Sequence, residues 1–127
     1  MHASTSLAGS AVLYLIRETM MVHKIGVSMD PLSRLKELIR ERRVELTLSA
    51  VYACDDPRAE PRCHDMLRDF RLHRWSGREW FWVCRDDAET VIQRALAGHT
   101  TWTSLMPRWG RHTAGNLLAG HDSAVSA

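Results

Sequence analysis

Residues 12–34, VLYLIRETMMVHKIGVSMDPLSR, constrain the fold more than any other part of the chain. The run AVLYLIR over 11–17 is apolar at nearly every position, as expected of a strand covered on both faces. A short break at Glu18, Thr19 and Met20 leads into a second run over 21–28, which makes an antiparallel hairpin the economical arrangement. Asp30-Pro31 then opens a helix: Asp30 can accept a backbone N–H bond as N-cap, and Pro31 is preorganised for the first helical position. Two strands and a capped helix in so few residues can hold Tyr14, Lys24 and Arg34 close together. Gly26 has no side chain, so a substrate or another backbone can approach the second strand closely there.

The helix is expected over 31–43, with Leu32, Leu35, Leu38 and Ile39 forming one apolar stripe. Arg34, Lys36, Arg40, Arg42 and Arg43 lie off that stripe against only Glu37 and Glu41, giving a mostly basic outer surface. Residues 44–52 alternate, with Val44, Leu46, Leu48, Ala50 and Tyr52 on one face and Glu45, Thr47 and Ser49 on the other, which reads as a strand. Asp55-Asp56-Pro57 is a turn, and a second helix follows over 60–73 with Cys63, Met66, Leu67 and Phe70 inward. Trp75-Ser76-Gly77 ends it, and the aromatic segment 79–84, EWFWVC, is strand-like or extended. Asp86-Asp87 caps a third helix over 88–97 that stops at Gly98.

The fold class that follows is a small α/β (α+β) domain: a three-stranded, mainly antiparallel sheet of 11–17, 21–28 and 44–52, flanked by helices. Residues 1–10 read as a flexible N-terminus and 11–98 as the domain. Residues 99–127 read as a weakly ordered tail in which Trp102, Leu105, Met106 and Trp109 can pack back. At 127 residues the chain can bury one core and not two. Its 45% apolar and 25% charged content is ordinary for a globular domain. No apolar run is long enough to cross a bilayer, and no basic secretory start precedes Tyr14, so a cytoplasmic protein is expected. Cys54, Cys63 and Cys84 are an odd number without C-x-x-C spacing, which argues against a disulfide framework or a zinc ribbon. A net charge of +2 permits nucleic-acid binding without announcing it.

The order Tyr14, Lys24-Ile25-Gly26, Asp30-Pro31 and Arg34-Leu35 resembles the GIY-YIG nuclease superfamily, in the phage and mobile-element branch whose second signature is KIG. Arg34 follows Gly26 at the spacing of the family's helix arginine. Glu60 and His64 resemble its E-x-x-L-H, with Cys63 in place of leucine. Gly77, Glu79, Trp80 and Phe81 resemble its G-E-W-F ending with one residue inserted. Val12 replaces the first signature's glycine, and the asparagine that closes the site in many members has no clear match.

The resemblance implies a metal-dependent DNA endonuclease. Tyr14 would orient or deprotonate the attacking water, Arg34 would bind the phosphate and its transition-state charge, and Glu60 would hold Mg²⁺ or Mn²⁺. Lys24 would add positive charge or lower the pKa of Tyr14. His64 would carry protons or hold structure, and Lys36, Arg40, Arg43 and Arg71 would contact the DNA backbone. Glu79 reads as a partner for a neighbouring arginine rather than as a reacting group. His23 and Lys24 are adjacent in a strand and must point to opposite faces.

Each residue also has a purely structural reading: Tyr14 as a core aromatic, Arg34 as a solvated helix arginine, Glu60 as a first-turn carboxylate facing the helix dipole. An inactive DNA-binding module on the same scaffold and a protein-interaction accessory domain are therefore the rival functions. A protein partner supplying specificity suits a domain with so little spare surface.

Overall fold

The computed structural model describes residues 11–72 and 79–103. The expectations for residues 1–10, for the break at Trp75-Ser76-Gly77 and for Leu105, Met106 and Trp109 lie outside the described residues. The elements in chain order are β1 (Val12–Thr19), β2 (Val22–Ser28), α1 (Pro31–Arg42), β3 (Thr47–Ala53), α2 (Ala59–Met66), a 3₁₀ turn (Arg68–Phe70), β4 (Trp80–Trp82) and α3 (Arg85–Leu96). Among these residues no helix is long and apolar enough to cross a membrane.

The sheet has four strands rather than the expected three, in the order β3-β1-β2-β4, with every neighbouring pair antiparallel. The fourth is the aromatic segment, which pairs Val22 with Trp82, His23 with Phe81 and Lys24 with Trp80. It covers the outer edge of β2, whose N–H and C=O groups would otherwise lack partners. The sheet is packed on both faces, and this is why β1 is apolar throughout. Leu13 and Leu15 join Ile25 and Phe81 against α2 and α3, where Ala59, Cys63, Leu67, Ala88, Val91, Ile92 and Ala95 complete one core. Tyr14 and Ile16 join Val22 and Trp80 on the other face, against Leu35, Leu38 and Ile39 of α1.

β3 corrects the simple alternation. Leu15 pairs with Ala50 but Ile16 pairs with Leu48, so Ser49 is the extra residue of a bulge. One skipped residue reverses the facing of everything beyond it. Ala50 and Tyr52 therefore pack toward α2 and α3, while Leu46 and Leu48 pack toward α1. The strand also begins at Thr47 rather than Val44, which is exposed.

The helices differ from expectation at their ends. Asp30 caps α1 as read: its carboxylate accepts from the Ser33 backbone N–H at 3.1 Å and from the Ser33 hydroxyl at 2.9 Å. Leu32, however, is 59% exposed, because the inner stripe of α1 starts only at Leu35. α2 ends at Met66 and gives way to the 3₁₀ turn, shorter than the expected 60–73. α3 starts at Arg85 with Cys84 at its N-cap, placing Asp86 and Asp87 inside the first turn. Gly98 ends it at φ 91°, the left-handed conformation that glycine adopts without strain. The chain then returns to α2, where the Trp102 indole N–H donates to the Met66 carbonyl at 3.1 Å.

Candidate functional site

Tyr14 lies in the middle of β1, paired with Gly26 on one side and Val51 on the other. Its ring rests directly on Gly26: a Cβ built at that glycine would sit 2.4 Å from the Tyr14 hydroxyl oxygen and 2.5 Å from Cζ. The close approach at Gly26 is made by the Tyr14 side chain rather than by the substrate or second backbone expected there. The tyrosine is 2% exposed, and the Arg34 guanidinium is near enough to act on the ionisation of its hydroxyl. Burial pushes the phenol above its ordinary pKa, and the Glu79 and Glu60 charges add to the rise. The Arg34 hydrogen bond and charge oppose it without offsetting it. The phenol is accordingly protonated at neutral pH, which corrects the expectation that Lys24 lowers its pKa.

Arg34 is set over the sheet by the capped start of α1. Its Nη1 donates to Glu37 Oε1 at 3.0 Å, an i,i+3 pair that holds the side chain along the helix. Burial works against its charge, but the bonds to Glu37 and Tyr14 outweigh that and keep it above its ordinary value.

Lys24 shares the α1 face of the sheet with Tyr14, two residues before Gly26, and is 2% exposed. Its ammonium pairs with the Glu79 carboxylate and lies 6.0 Å from the Trp80 ring centroid. Burial lowers the Lys24 pKa, with the Glu79 hydrogen bond and charge opposing. For Glu79, burial raises the pKa, but the Lys24 bond and charge prevail, aided by His64 and Arg34, and leave it below the usual carboxylate range. The expected arginine partner of Glu79 is therefore a lysine. His23 points to the opposite face, where its Nδ1–H donates to the Val83 carbonyl at 2.8 Å.

Glu60 stands in the first turn of α2 and is 29% exposed at its side chain. It lines a cavity of about 310 Å³ with Ala11, Val27, Cys54, Asp55, Asp56 and Pro57. Asp56 is occupied there by the Arg62 guanidinium at 2.6 Å. Among the described residues no group of three or more His, Cys, Asp or Glu side chains is arranged to hold a metal. Glu60 is thus an accessible carboxylate whose neighbour in the cavity lining is the exposed Asp55. That does not make an all-protein cage, but it fits the manner of Mg²⁺, which takes one or two carboxylates plus water and substrate phosphate.

His64, one helical turn after Glu60, donates from Nε2 to the Ile25 carbonyl at 2.8 Å and packs at 5.3 Å against the Phe81 ring. That contact anchors α2 to β2. Cys63 beside it is fully buried and its thiol is pushed up to about 12, so it stays protonated as a core residue.

The expected DNA-contacting residues divide. Lys36, Arg40 and Arg43 are exposed, and helical periodicity lines up Lys36 and Arg40 on the flank of α1 away from Arg34. Arg71 is not a free surface cation: it is half-buried, with its guanidinium 5.9 Å from the Phe81 ring centroid.

The fold thus groups Tyr14, Lys24, Arg34 and Glu79 on the α1 side of the sheet, with Glu60 on α2 acting on Tyr14 and Lys24 through its charge. Residues 11–96 match the T5orf172 domain. The chain belongs to the T5orf172 domain family. This phage-associated domain is related to nuclease-type folds. The matched segment runs through β1 to α3, so the whole T5orf172 match coincides with the elements that build the site. No curated protein and no solved structure matches the chain.

Proposed function

We propose that this T5orf172 domain is a divalent-metal-dependent endonuclease that hydrolyses DNA phosphodiester bonds at a GIY-YIG-type site. The observation that carries the reading is Tyr14 seated on Gly26, within the electrostatic reach of Arg34 and Glu60 and on the same sheet face as Lys24. A phosphodiester resists attack because its oxygens are negative, so cleavage needs an oriented water and positive charge where charge builds up. Arg34 supplies a guanidinium that cannot lose its proton and that matches phosphate geometry. The protonated Tyr14 orients the attacking water through its hydroxyl oxygen, while Lys24 adds charge beneath the same spot. Water bonds to phosphorus as the ester P–O bond breaks, and the proton that the water gives up passes through solvent to the departing oxygen, leaving a phosphomonoester and an alcohol. Glu60 would hold Mg²⁺ or Mn²⁺, whose chemistry is to draw charge from the phosphate and the leaving oxygen. Lys36, Arg40 and Arg43 would contact the DNA backbone farther out, giving binding that weakens steeply with salt.

Supercoiled plasmid incubated with Mg²⁺ or Mn²⁺ tests this. Nicking or linearisation by the wild type, lost in both Arg34→Ala and Glu60→Gln, is the expected result. Intact plasmid in every lane, from folded protein that still retards DNA, would replace the nuclease with a DNA-binding module. The near-complete burial of Tyr14 is the observation that favours this second reading.

A further inference from the structure

The Lys24–Glu79 ion pair is costly unless it serves something. An ammonium with almost no solvent exposure has been stripped of its water, and one partly exposed carboxylate is its ion-pair partner. A methionine or leucine at this position of β2 would fill the same core space beside Tyr14, Ile16 and Trp80 at no electrostatic cost. Yet the lysine is placed on the site face, two residues from the glycine under Tyr14. Glu79 comes from the other side of the sheet edge, immediately before β4. It is fixed there at both ends: its carbonyl accepts from the Ile25 N–H at 3.2 Å and its carboxylate holds Lys24.

We infer that Glu79 is a positioning residue of the site, which acts through Lys24 by keeping that buried ammonium charged and directed at the place where a substrate phosphate binds. This rests on the phosphodiester reading only for the identity of the anion. The groups that face Lys24 are Glu79 ahead of β4, Arg34 on α1 and Glu60 on α2, with the Trp80 ring beside it and the Tyr14 phenol on β1 two residues along the same face. Of these, Glu79 contributes most to holding the proton on Lys24 against burial. Without it, Arg34 remains as a repelling cation and Glu60 only as a weaker attraction. Lys24 then gives up its proton more readily as the pH rises, and a positive charge disappears from the floor of the site.

The test is the affinity for a short DNA duplex in the presence of chelator, measured from about pH 6 to about pH 9, the range over which a buried lysine stripped of its carboxylate can titrate. Wild type and Glu79→Gln should bind comparably at the acid end. The variant should then lose affinity as the pH rises, by about tenfold more than wild type at the alkaline end, the scale of one lost charge-assisted contact. Combining Lys24→Arg with Glu79→Gln should abolish that extra pH dependence, because a guanidinium needs no partner to stay charged. Glu79→Asp should stay close to wild type.

Thermal unfolding shows whether each variant is folded. If Glu79→Gln proves unfolded, direct NMR titration of the Lys24 side chain in wild type and in Glu79→Asp reports the same coupling. Parallel pH profiles for wild type and a folded Glu79→Gln, or an unchanged slope in the Lys24→Arg double variant, would overturn the inference. Cleavage with Mg²⁺ is scored separately. A wild type that never nicks plasmid, while the pH-dependent difference in binding persists, refutes the nuclease and leaves the role of Glu79 standing.

Discussion

Gly26→Ala isolates the contact on which the site is built. A Cβ at position 26 would stand 2.4 Å from the Tyr14 hydroxyl oxygen, 2.5 Å from Cζ and 3.1 Å from Cε1. Ordinary contact needs about 3.5 Å, so the ring must retreat by about 1 Å. It has little room, being 2% exposed between α1 and the sheet. Strain from overpacking costs about 1–3 kcal/mol, while replacing a strand glycine by alanine returns about 0.5–1 kcal/mol of chain entropy. The net expectation is destabilisation by about 1–2 kcal/mol. Displacing the hydroxyl by that distance should also reduce nicking activity by about 100-fold.

Urea unfolding gives the stability, and a double-mutant cycle locates its origin. In a Tyr14→Leu background the obstruction is gone, so Gly26→Ala should be neutral or stabilising, leaving a coupling of at least about 1 kcal/mol. An alanine variant as stable as wild type, or a cost that persists unchanged without the tyrosine, would refute the contact as the reason for the glycine.

Three further outcomes are expected. Arg34→Ala should raise the ionisation pH of Tyr14 still further, since the hydrogen bond and charge that oppose burial are removed. Absorbance titration in a Tyr52→Phe background reads Tyr14 alone, because the chain has two tyrosines. His23 is buried with its pKa lowered, chiefly by desolvation, so the unfolded state binds the proton more readily than the folded one. Its contribution to stability is complete above the unfolded value of about 6.5 and is lost as the pH falls below it. His23→Gln should flatten that acid limb in thermal melts from about pH 7 to about pH 4. Arg43 closes α1 in the left-handed conformation at φ 57°, so Arg43→Gly should stabilise the domain by about 0.5–1 kcal/mol in urea unfolding, and a loss of stability would show that its side chain matters more than its backbone.

The sequence by itself determined the parts of this protein whose physics is local. The unbroken apolar run of β1, the Asp30-Pro31 cap and the αL stop at Gly98 depend on neighbours a few residues away and match the expectation, whereas the break before β2, expected at Glu18, Thr19 and Met20, falls at Met20-Met21 because β1 continues through Thr19. The placement of His23 and Lys24 on opposite faces follows from strand geometry alone. The tertiary structure decided what depends on partners far along the chain. Trp80–Trp82 becomes a fourth strand because the edge of β2 is there to receive it. The bulge at Ser49 sends Leu46 and Leu48 to one core and Ala50 and Tyr52 to the other, which no alternation within β3 could specify.

The same division runs through the site. Tyr14, Lys24 and Arg34 were readable because β1, β2 and α1 are consecutive. The pairing of Glu79 with Lys24 spans 55 residues and exists only once β4 docks. The raised pKa of Tyr14 likewise follows from burial among α1, Gly26 and the sheet, a solvent effect that a linear pattern of residues does not carry.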